Sequence, residues 1–141
     1  MKVSQSSRYA IRAVVAIAAH KGPGFADGRR VATAHGLPAL FVSKLLRLLV
    51  KAGLLQSLRG PNGGYRLAKT ANRISLLEIL EAVDGVIGSA VPAAGDQGAG
   101  SVDARLQSVF DRAAETVRRH LRGTTVGELM ATKGKGPASR S

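Results

Sequence analysis

The chain has no cysteine and no tryptophan, and only 4% of its 141 residues are aromatic. Without cysteine, disulfides and thiolate-bound metal or iron–sulfur clusters are excluded within this chain. No stretch approaches the roughly 18 uninterrupted apolar residues of a membrane span, and nothing after Met1 resembles a signal peptide. We therefore expect a cytoplasmic protein without membrane contact. A hydrophobic content of 45% allows a core of mainly Leu, Val, Ile and Ala, which favours helices.

Acidic residues are almost absent from the first half of the chain. Residues 1–73 contain 13 Lys or Arg residues and the single acid Asp27, whereas residues 74–141 contain eight residues of each sign. The formal net charge of +12 therefore lies entirely in residues 1–73. This segregation indicates a polyanion-binding part joined to a neutral part with another role, because solubility alone does not require it.

Hydrophobic periodicity predicts three helices in the basic part. The first spans about residues 6–19, and Ser6 or Ser7 is its expected cap. The second is short and is capped by Asp27. The third spans about residues 38–52, because a proline favours the first helical turn and Gly53 ends the pattern.

The third predicted helix carries two stripes on different faces. An apolar stripe, expected to pack on the first helix, consists of Leu45, Leu48, Leu49 and Ala52. A basic stripe, free to meet phosphates, consists of Lys44, Arg47 and Lys51.

Residues 54–67 predict a tight basic hairpin directly after the third helix. Asn62-Gly63 is a dipeptide that two-residue turns prefer, because both central residues need positive φ. Arg59 and Arg66 flank this turn, and no acid lies between them. The order helix, helix, turn, helix, basic hairpin is the winged-helix arrangement, which is typical of duplex-binding proteins. A generic three-helix bundle would explain the helices but not the placement of the charges.

Residues 74–131 predict a connecting helix, a linker and a long helix. The connecting helix has Ser75 near its start and Gly85 near its end. Residues 88–101 have the Gly- and Ala-rich composition of a mobile linker. The long helix follows from Val102 to Leu121 with Asp103 as its expected cap, and residues 125–130 predict a last helical turn. Residues 132–141 predict a disordered tail.

The long helix carries an apolar stripe without an evident partner. Its members are Leu106, Val109, Phe110, Ala113, Val117 and Leu121. A complete winged helix has little core left to cover this stripe. We expect the same helix of a second copy to cover it, because twofold homodimers are the commonest oligomers and match twofold operators. Packing of the long helix onto its own domain is the alternative.

The chain resembles the Rrf2 family of bacterial winged-helix transcription regulators over residues 1–131. The most specific match is residues 48–67, which read LLVKAGLLQSLRGPNGGYRL. Supporting matches are Tyr9-Ala10, Ile74-Ser75-Leu76, EAVDG at residues 81–85 and TTVGEL at residues 124–129. The resemblance implies a mainly α fold with a small β-hairpin: a winged-helix DNA-binding domain (residues 1–73), then the connecting helix, linker and long dimerisation helix (residues 74–131).

The resemblance also implies DNA-binding roles for single residues. Arg59 would enter the minor groove from the tip of the wing, as we call residues 54–67. Residues 38–44 would face base edges in the major groove, with Phe41 and Ser43 in direct contact; burial of Phe41 in the core is the alternative. Phosphate contacts are expected from Lys44, Arg47, Lys51 and Arg66. The full predicted set is Pro38, Phe41, Ser43, Lys44, Arg47, Lys51, Arg59, Gly60, Gly63, Gly64, Tyr65 and Arg66.

The chain departs from the family in the linker. Many members carry three cysteines between the last two helices and bind a cluster there, whereas residues 88–101 contain none. We therefore expect no cofactor. Some members without these cysteines respond to other signals, including partner proteins, and this chain resembles them. An effector or partner protein is left open.

The expected function is a sequence-specific DNA-binding regulator, a homodimeric repressor that binds double-stranded DNA at a pseudo-palindromic operator. One alternative is an architectural or RNA-binding protein without sequence preference, and another is a protein-interaction module with a vestigial winged helix. We expect no enzyme and no metal site. His20, His35 and His120 lack metal-ligand spacing, and the Gly-rich hairpin lacks the Gly-Lys-Ser/Thr ending of a nucleotide-binding loop.

Overall fold

The structure is a computed structural model that describes residues 3–88 and 101–132, and these are mainly helical. The elements are α1 (Gln5–Ala18), α2 (Gly28–Ala34), α3 (Ala39–Lys51), β1 (Leu55–Leu58), β2 (Gly64–Leu67), a 3-10 helix (Ala71–Arg73), α4 (Leu76–Asp84), α5 (Val102–Arg122) and α6 (Val126–Thr132). No helix in the described ranges is long and apolar enough to cross a bilayer. Residues 89–100 of the predicted linker (88–101) and residues 133–141 of the predicted tail (132–141) lie outside the described residues.

The first helix begins earlier than the sequence predicted. Ser4, not Ser6 or Ser7, is the cap, and its side chain accepts a hydrogen bond from the Ser7 amide at 3.0 Å. Ser7 is fully buried, and its hydroxyl donates to Asp84 at the end of α4 at 2.6 Å. The predicted cap was wrong because Ser7 belongs to the inward face of α1, in register with Ala10 and Val14. The Asp27 cap of α2 is confirmed, since its side chain accepts from the Arg29 amide at 2.9 Å.

The inward face of α3 also differs from the predicted apolar stripe. The buried residues are Val42, Leu45, Leu46 and Leu49. Leu48 and Ala52 are exposed, so the sequence assigned these two positions wrongly. Leu45 and Leu49 fit two overlapping apolar stripes, one that continues through Leu46 and one that continues through Leu48. Helical periodicity alone could not decide which of the two stripes is buried.

One hydrophobic core includes residues from both parts of the chain. Ile74, Ile79 and Val126 are fully buried in the same cluster as the inward faces of α1 and α3. The Val126 amide donates to the Ile74 carbonyl at 2.9 Å, so the end of the described chain is joined to the start of α4. The domain boundaries expected from the sequence stay a prediction.

The ends of α4 and α5 follow simple capping rules. Ser75 and Glu78 form a capping box at the start of α4, and Gly85 ends that helix with a φ of +87°. Ser101 caps α5 by accepting from the Ala104 amide at 3.0 Å. The predicted cap Asp103 is wrong because it lies in the first turn, where its charge favours the positive end of the helix dipole.

Candidate nucleic-acid interface

The wing is an antiparallel hairpin whose register fixes a five-residue loop. Leu55 pairs with Leu67 and Leu58 pairs with Gly64, which leaves residues 59–63 between the strands. The predicted two-residue turn at Asn62-Gly63 is therefore wrong.

The loop forms its turn one residue earlier than predicted. The Gly63 amide donates to the Gly60 carbonyl at 3.0 Å, so Pro61 and Asn62 are the central residues. Neither Asn62 nor Gly63 has positive φ; Gly60 has a φ of +111°. Proline fixes φ near −65° and suits the first central position of an ordinary β-turn, which explains the shift.

Backbone pairing fastens the wing to the segment before α2. Ala26 and Tyr65 exchange two hydrogen bonds, each of 2.8 Å. A Cβ on Gly64, which has a φ of +147°, would lie 2.1 Å from the Ala26 carbonyl oxygen. The half-buried Tyr65 ring packs against the core and beside Gly28. Gly64 and Tyr65 thus hold the wing in place, and their predicted contact with DNA stays a prediction.

The outward face of α3 is basic and begins with a leucine. Leu40, Lys44, Arg47 and Lys51 are all exposed. Their spacing of four, three and four residues places them on one side of the helix, opposite the buried residues. The basic stripe is thereby confirmed as solvent-facing, and Leu40 is a member of the same row that the sequence did not indicate.

The two arginines of the wing differ in their surroundings. The Arg66 guanidinium lies over the Phe25 ring, 4.5 Å from its centroid, and its Nε donates to Gln56 Oε1 at 2.9 Å. Arg59 is exposed at the start of the loop and makes no hydrogen bond or ion pair with another described residue. Arg66 is therefore positioned by the protein, whereas Arg59 is free to follow a ligand.

A cleft of about 330 Å³ separates the wing from the start of α3. It brings together Ser43 and Tyr65 with residues that the sequence analysis did not select, among them Arg29 and Leu40. Arg29 was missed because it lies in the short α2, outside the residues 38–44 that were predicted to face base edges. Leu40 was missed because the sequence shows a leucine in an apolar segment but not which face of α3 it occupies.

Phe41 points to the other side of α3. Its ring packs edge-on against Tyr9 of α1, with centroids 5.8 Å apart and planes 80° apart. It is half-buried and packed against the core, and its predicted contact with a base stays a prediction. Pro38 is the exposed N-cap of α3 and, as a proline, provides no capping hydrogen bond.

Helix α5 is attached on one side and exposed on the other. Arg118 forms an ion pair with Glu81 of α4, and Glu81 also accepts from the Ile87 amide at 3.0 Å. All of the described residues of α5 keep part of their surface in solvent. In the predicted dimerisation stripe, Leu106, Val109, Phe110 and Ala113 are exposed, whereas Val117 and Leu121 are half-buried. Packing onto the chain's own domain thus covers only part of the stripe.

A helix-turn-helix whose outward α3 face is basic, placed beside a basic hairpin, defines a winged-helix DNA-binding protein. Residues 3–132 match the family described as "Rrf2: Iron-dependent Transcriptional regulator". The chain therefore belongs to the Rrf2 family. It is a sequence-specific DNA-binding transcription regulator and not an enzyme.

Relatives and solved structures agree with this assignment. The chain is 34% identical over 123 residues to the HTH-type transcriptional regulator IscR of Cereibacter sphaeroides, covering 86% of this chain and 79% of the relative. Its fold matches the structure of CymR, the global cysteine regulator of B. subtilis, with a TM-score of 0.76 and 25% identity over 94% of this chain and 98% of that one. The structure of T. potens IscR matches with a TM-score of 0.72 and 26% identity, covering 93% and 87% of the two chains.

The iron in the family description does not fit this chain. The sequence contains no cysteine, so no thiolate is present to hold a cluster. Within residues 3–88 and 101–132, no three His, Asp or Glu side chains are grouped in a way that could hold a metal ion. This chain therefore has no ligands for a thiolate-bound cluster and cannot be regulated through one.

Proposed function

We propose that this protein is a homodimeric repressor that binds a pseudo-palindromic operator without an iron–sulfur cluster. In each copy, α3 enters the major groove and the tip of the wing enters the adjacent minor groove. The two half-sites then lie about 34 Å apart, one helical turn of DNA, or a multiple of this distance. We place its action in the cytoplasm, on double-stranded DNA.

The observation that carries the proposal is the contrast between the outward faces of α3 and α5. The exposed cations Lys44, Arg47 and Lys51 form one row, which suits a polyanion. The exposed apolar residues Leu106, Val109 and Phe110 form another row on α5, which suits the same row of a second copy of the chain. A twofold dimer formed through α5 would carry two copies of the α3–wing unit, and a symmetric operator has two half-sites to match them.

The geometry supports the following residue roles in this proposal. Ser43 and the free Arg59 are placed to approach bases, because one lines the cleft at the start of α3 and the other extends from the wing. The cations farther along α3 hold phosphates and set the register. Arg66, held between Phe25 and Gln56, contributes a fixed positive charge to the wing.

Sequencing DNA fragments selected by the purified protein from a random pool tests this proposal. We expect an enriched motif with twofold symmetry, and sedimentation of the protein as a dimer. A promoter carrying the motif should drive less reporter expression when the protein is present. Equal enrichment of all sequences would refute the proposal in favour of an architectural protein, and an enriched motif without symmetry would refute the dimeric mode.

A further inference from the structure

Leu40 is the most exposed large hydrophobic residue of α3, with 83% of its surface in solvent. It lies in the first turn of this helix, in line with Lys44, Arg47 and Lys51. A single exposed leucine is ordinary on a protein surface. This one lies at the end of a cationic row, where the helix also borders the cleft beside the wing.

The position of Leu40 in the helix determines what it can meet. In helix-turn-helix proteins, the N-terminal residues of the recognition helix contact base edges, and phosphate contacts fix its orientation. Leu40 and Ser43 are three residues apart, line the same cleft and therefore face the same side. The isobutyl group of leucine has no hydrogen-bond donor or acceptor for a base edge. It can instead make an apolar contact with the methyl group that only thymine presents in the major groove.

Phe41 is poorly placed for this contact. Its ring is half-buried against Tyr9 on the side of α3 that faces α1. The side chain of Leu40 points away from the core and is therefore available to contact DNA.

We propose that Leu40 determines sequence preference by contacting the 5-methyl group of one thymine in each half-site, while Ser43 hydrogen-bonds to a neighbouring base edge. This inference rests on the proposed function and adds the base and the chemical group that α3 recognises. Leu58, half-exposed at the end of β1, lines the same cleft and is the natural comparison residue.

The test replaces each thymine of the selected operator, one at a time, with deoxyuridine, which removes only the methyl group. Binding is followed by fluorescence anisotropy of a labelled duplex. For the wild-type protein we expect one position per half-site where the dissociation constant rises about fourfold, the effect of losing one buried methyl group. In Leu40→Ala the rise at that position should disappear, whereas Leu58→Ala should retain it.

Two further measurements separate base contact from a general effect. Leu40→Ala should keep the salt dependence of the wild type, because it removes no cation. Since Leu40 is exposed, the variant should also melt at the wild-type temperature.

Each outcome bears on the inference. A uridine penalty that Leu40→Ala retains would overturn it, as would a wild-type protein insensitive to uridine at every position. A penalty abolished by Leu58→Ala but not by Leu40→Ala would assign the contact to the wing instead. Failure of the proposed function looks different, because the selection would then enrich either no sequence or a motif without twofold symmetry.

Discussion

Helices α3 and α5 are both amphipathic, and each keeps one face free, but the two faces differ in chemistry. The free face of α3 is cationic and the free face of α5 is apolar. Helical periodicity alone would describe them alike. The side chains on each free face suit different partners: the cations of α3 suit a polyanion, and the apolar residues of α5 suit the second copy of the chain that we propose.

The surroundings of the charges strengthen this contrast. Three acids of α4 and α5 form ion pairs: Glu78 with Lys69 at 2.7 Å, Glu81 with Arg118, and Glu115 with Arg118 at 3.6 Å. In the basic part the one acid, Asp27, is used as a helix cap. Lys44, Arg47 and Lys51 form no ion pair with another described residue, and one acid against 13 Lys or Arg residues leaves this part of the chain with a positive potential that suits DNA.

The largest expected effect concerns the attachment of the wing. Gly64→Ala should lower the free energy of unfolding by about 3 kcal/mol, through overpacking and backbone strain. The new Cβ would meet the Ala26 carbonyl oxygen at 2.1 Å, where the backbone cannot yield easily. Urea unfolding measures the loss.

Gly60→Ala is the matched control in the same loop. Gly60 also has positive φ, but nothing lies within 4 Å of an added Cβ. Gly60→Ala should therefore lower the free energy of unfolding by only about 1 kcal/mol. Equal losses in the two variants would show that the contact with Ala26 does not hold the wing.

The next effect concerns the apolar face of α5. Val109→Asp should weaken dimerisation by about a hundredfold, because burying an unpaired carboxylate in the interface costs several kcal/mol. Sedimentation equilibrium measures the dissociation constant. Ser108→Asp introduces the same charge at an exposed neighbouring position outside the apolar stripe and should leave the dimer intact. If Val109→Asp sediments as the wild type does, α5 is not the dimer interface.

A moderate effect is expected at the tip of the wing. Arg59→Ala should raise the dissociation constant for the operator about tenfold and lower the salt slope by about one, because one cationic contact is lost. Arg112→Ala removes an exposed cation from α5 and should change neither quantity. Titrations at several salt concentrations distinguish the two variants, and unchanged operator binding by Arg59→Ala would remove the wing from the interface.

The smallest effect concerns Glu78. Burial raises the pKa of this carboxyl, but hydrogen bonds from Lys69 and from the Ser75 amide outweigh burial and hold the pKa below its usual value of 4.5. The stabilisation is thus present above pH 4.5 and is lost as the pH falls through the lower folded value. Since the pair is about one-third exposed, we expect less than about 1 kcal/mol.

Glu78→Gln tests the stabilisation that the ionised Glu78 carboxylate provides, because glutamine can keep the capping box while removing the charge. Its urea midpoint should fall less than that of the wild type between pH 7 and pH 3. Identical pH dependence in both proteins would show that the lowered pKa carries no stability.

Local signals were sufficient for most helices and for the basic face of α3. Asp27 caps α2 and Ser75 precedes α4 as the sequence predicted, because capping depends on neighbours within four residues. The cationic row was also evident, since Lys44, Arg47 and Lys51 recur at helical spacing.

Features that depend on distant contacts could not be predicted in this way. The hairpin turn shifted because Pro61 favoured another turn, and the Ala26–Tyr65 pairing joins segments far apart in sequence. The inward face of α3 was ambiguous because the segment is apolar on neighbouring sides. Only the packed structure shows that Leu40 is exposed while Phe41 turns toward Tyr9.

The position of Val126 in the core has a consequence for protein synthesis. This residue is fully buried against elements that the ribosome makes much earlier, and its amide is bonded to Ile74. During translation from the N-terminus, α1 and α3 cannot complete the core that they share with Val126 until residue 126 has left the exit tunnel. The nascent regulator therefore becomes fully folded only after α5, its proposed dimer helix, has been synthesised.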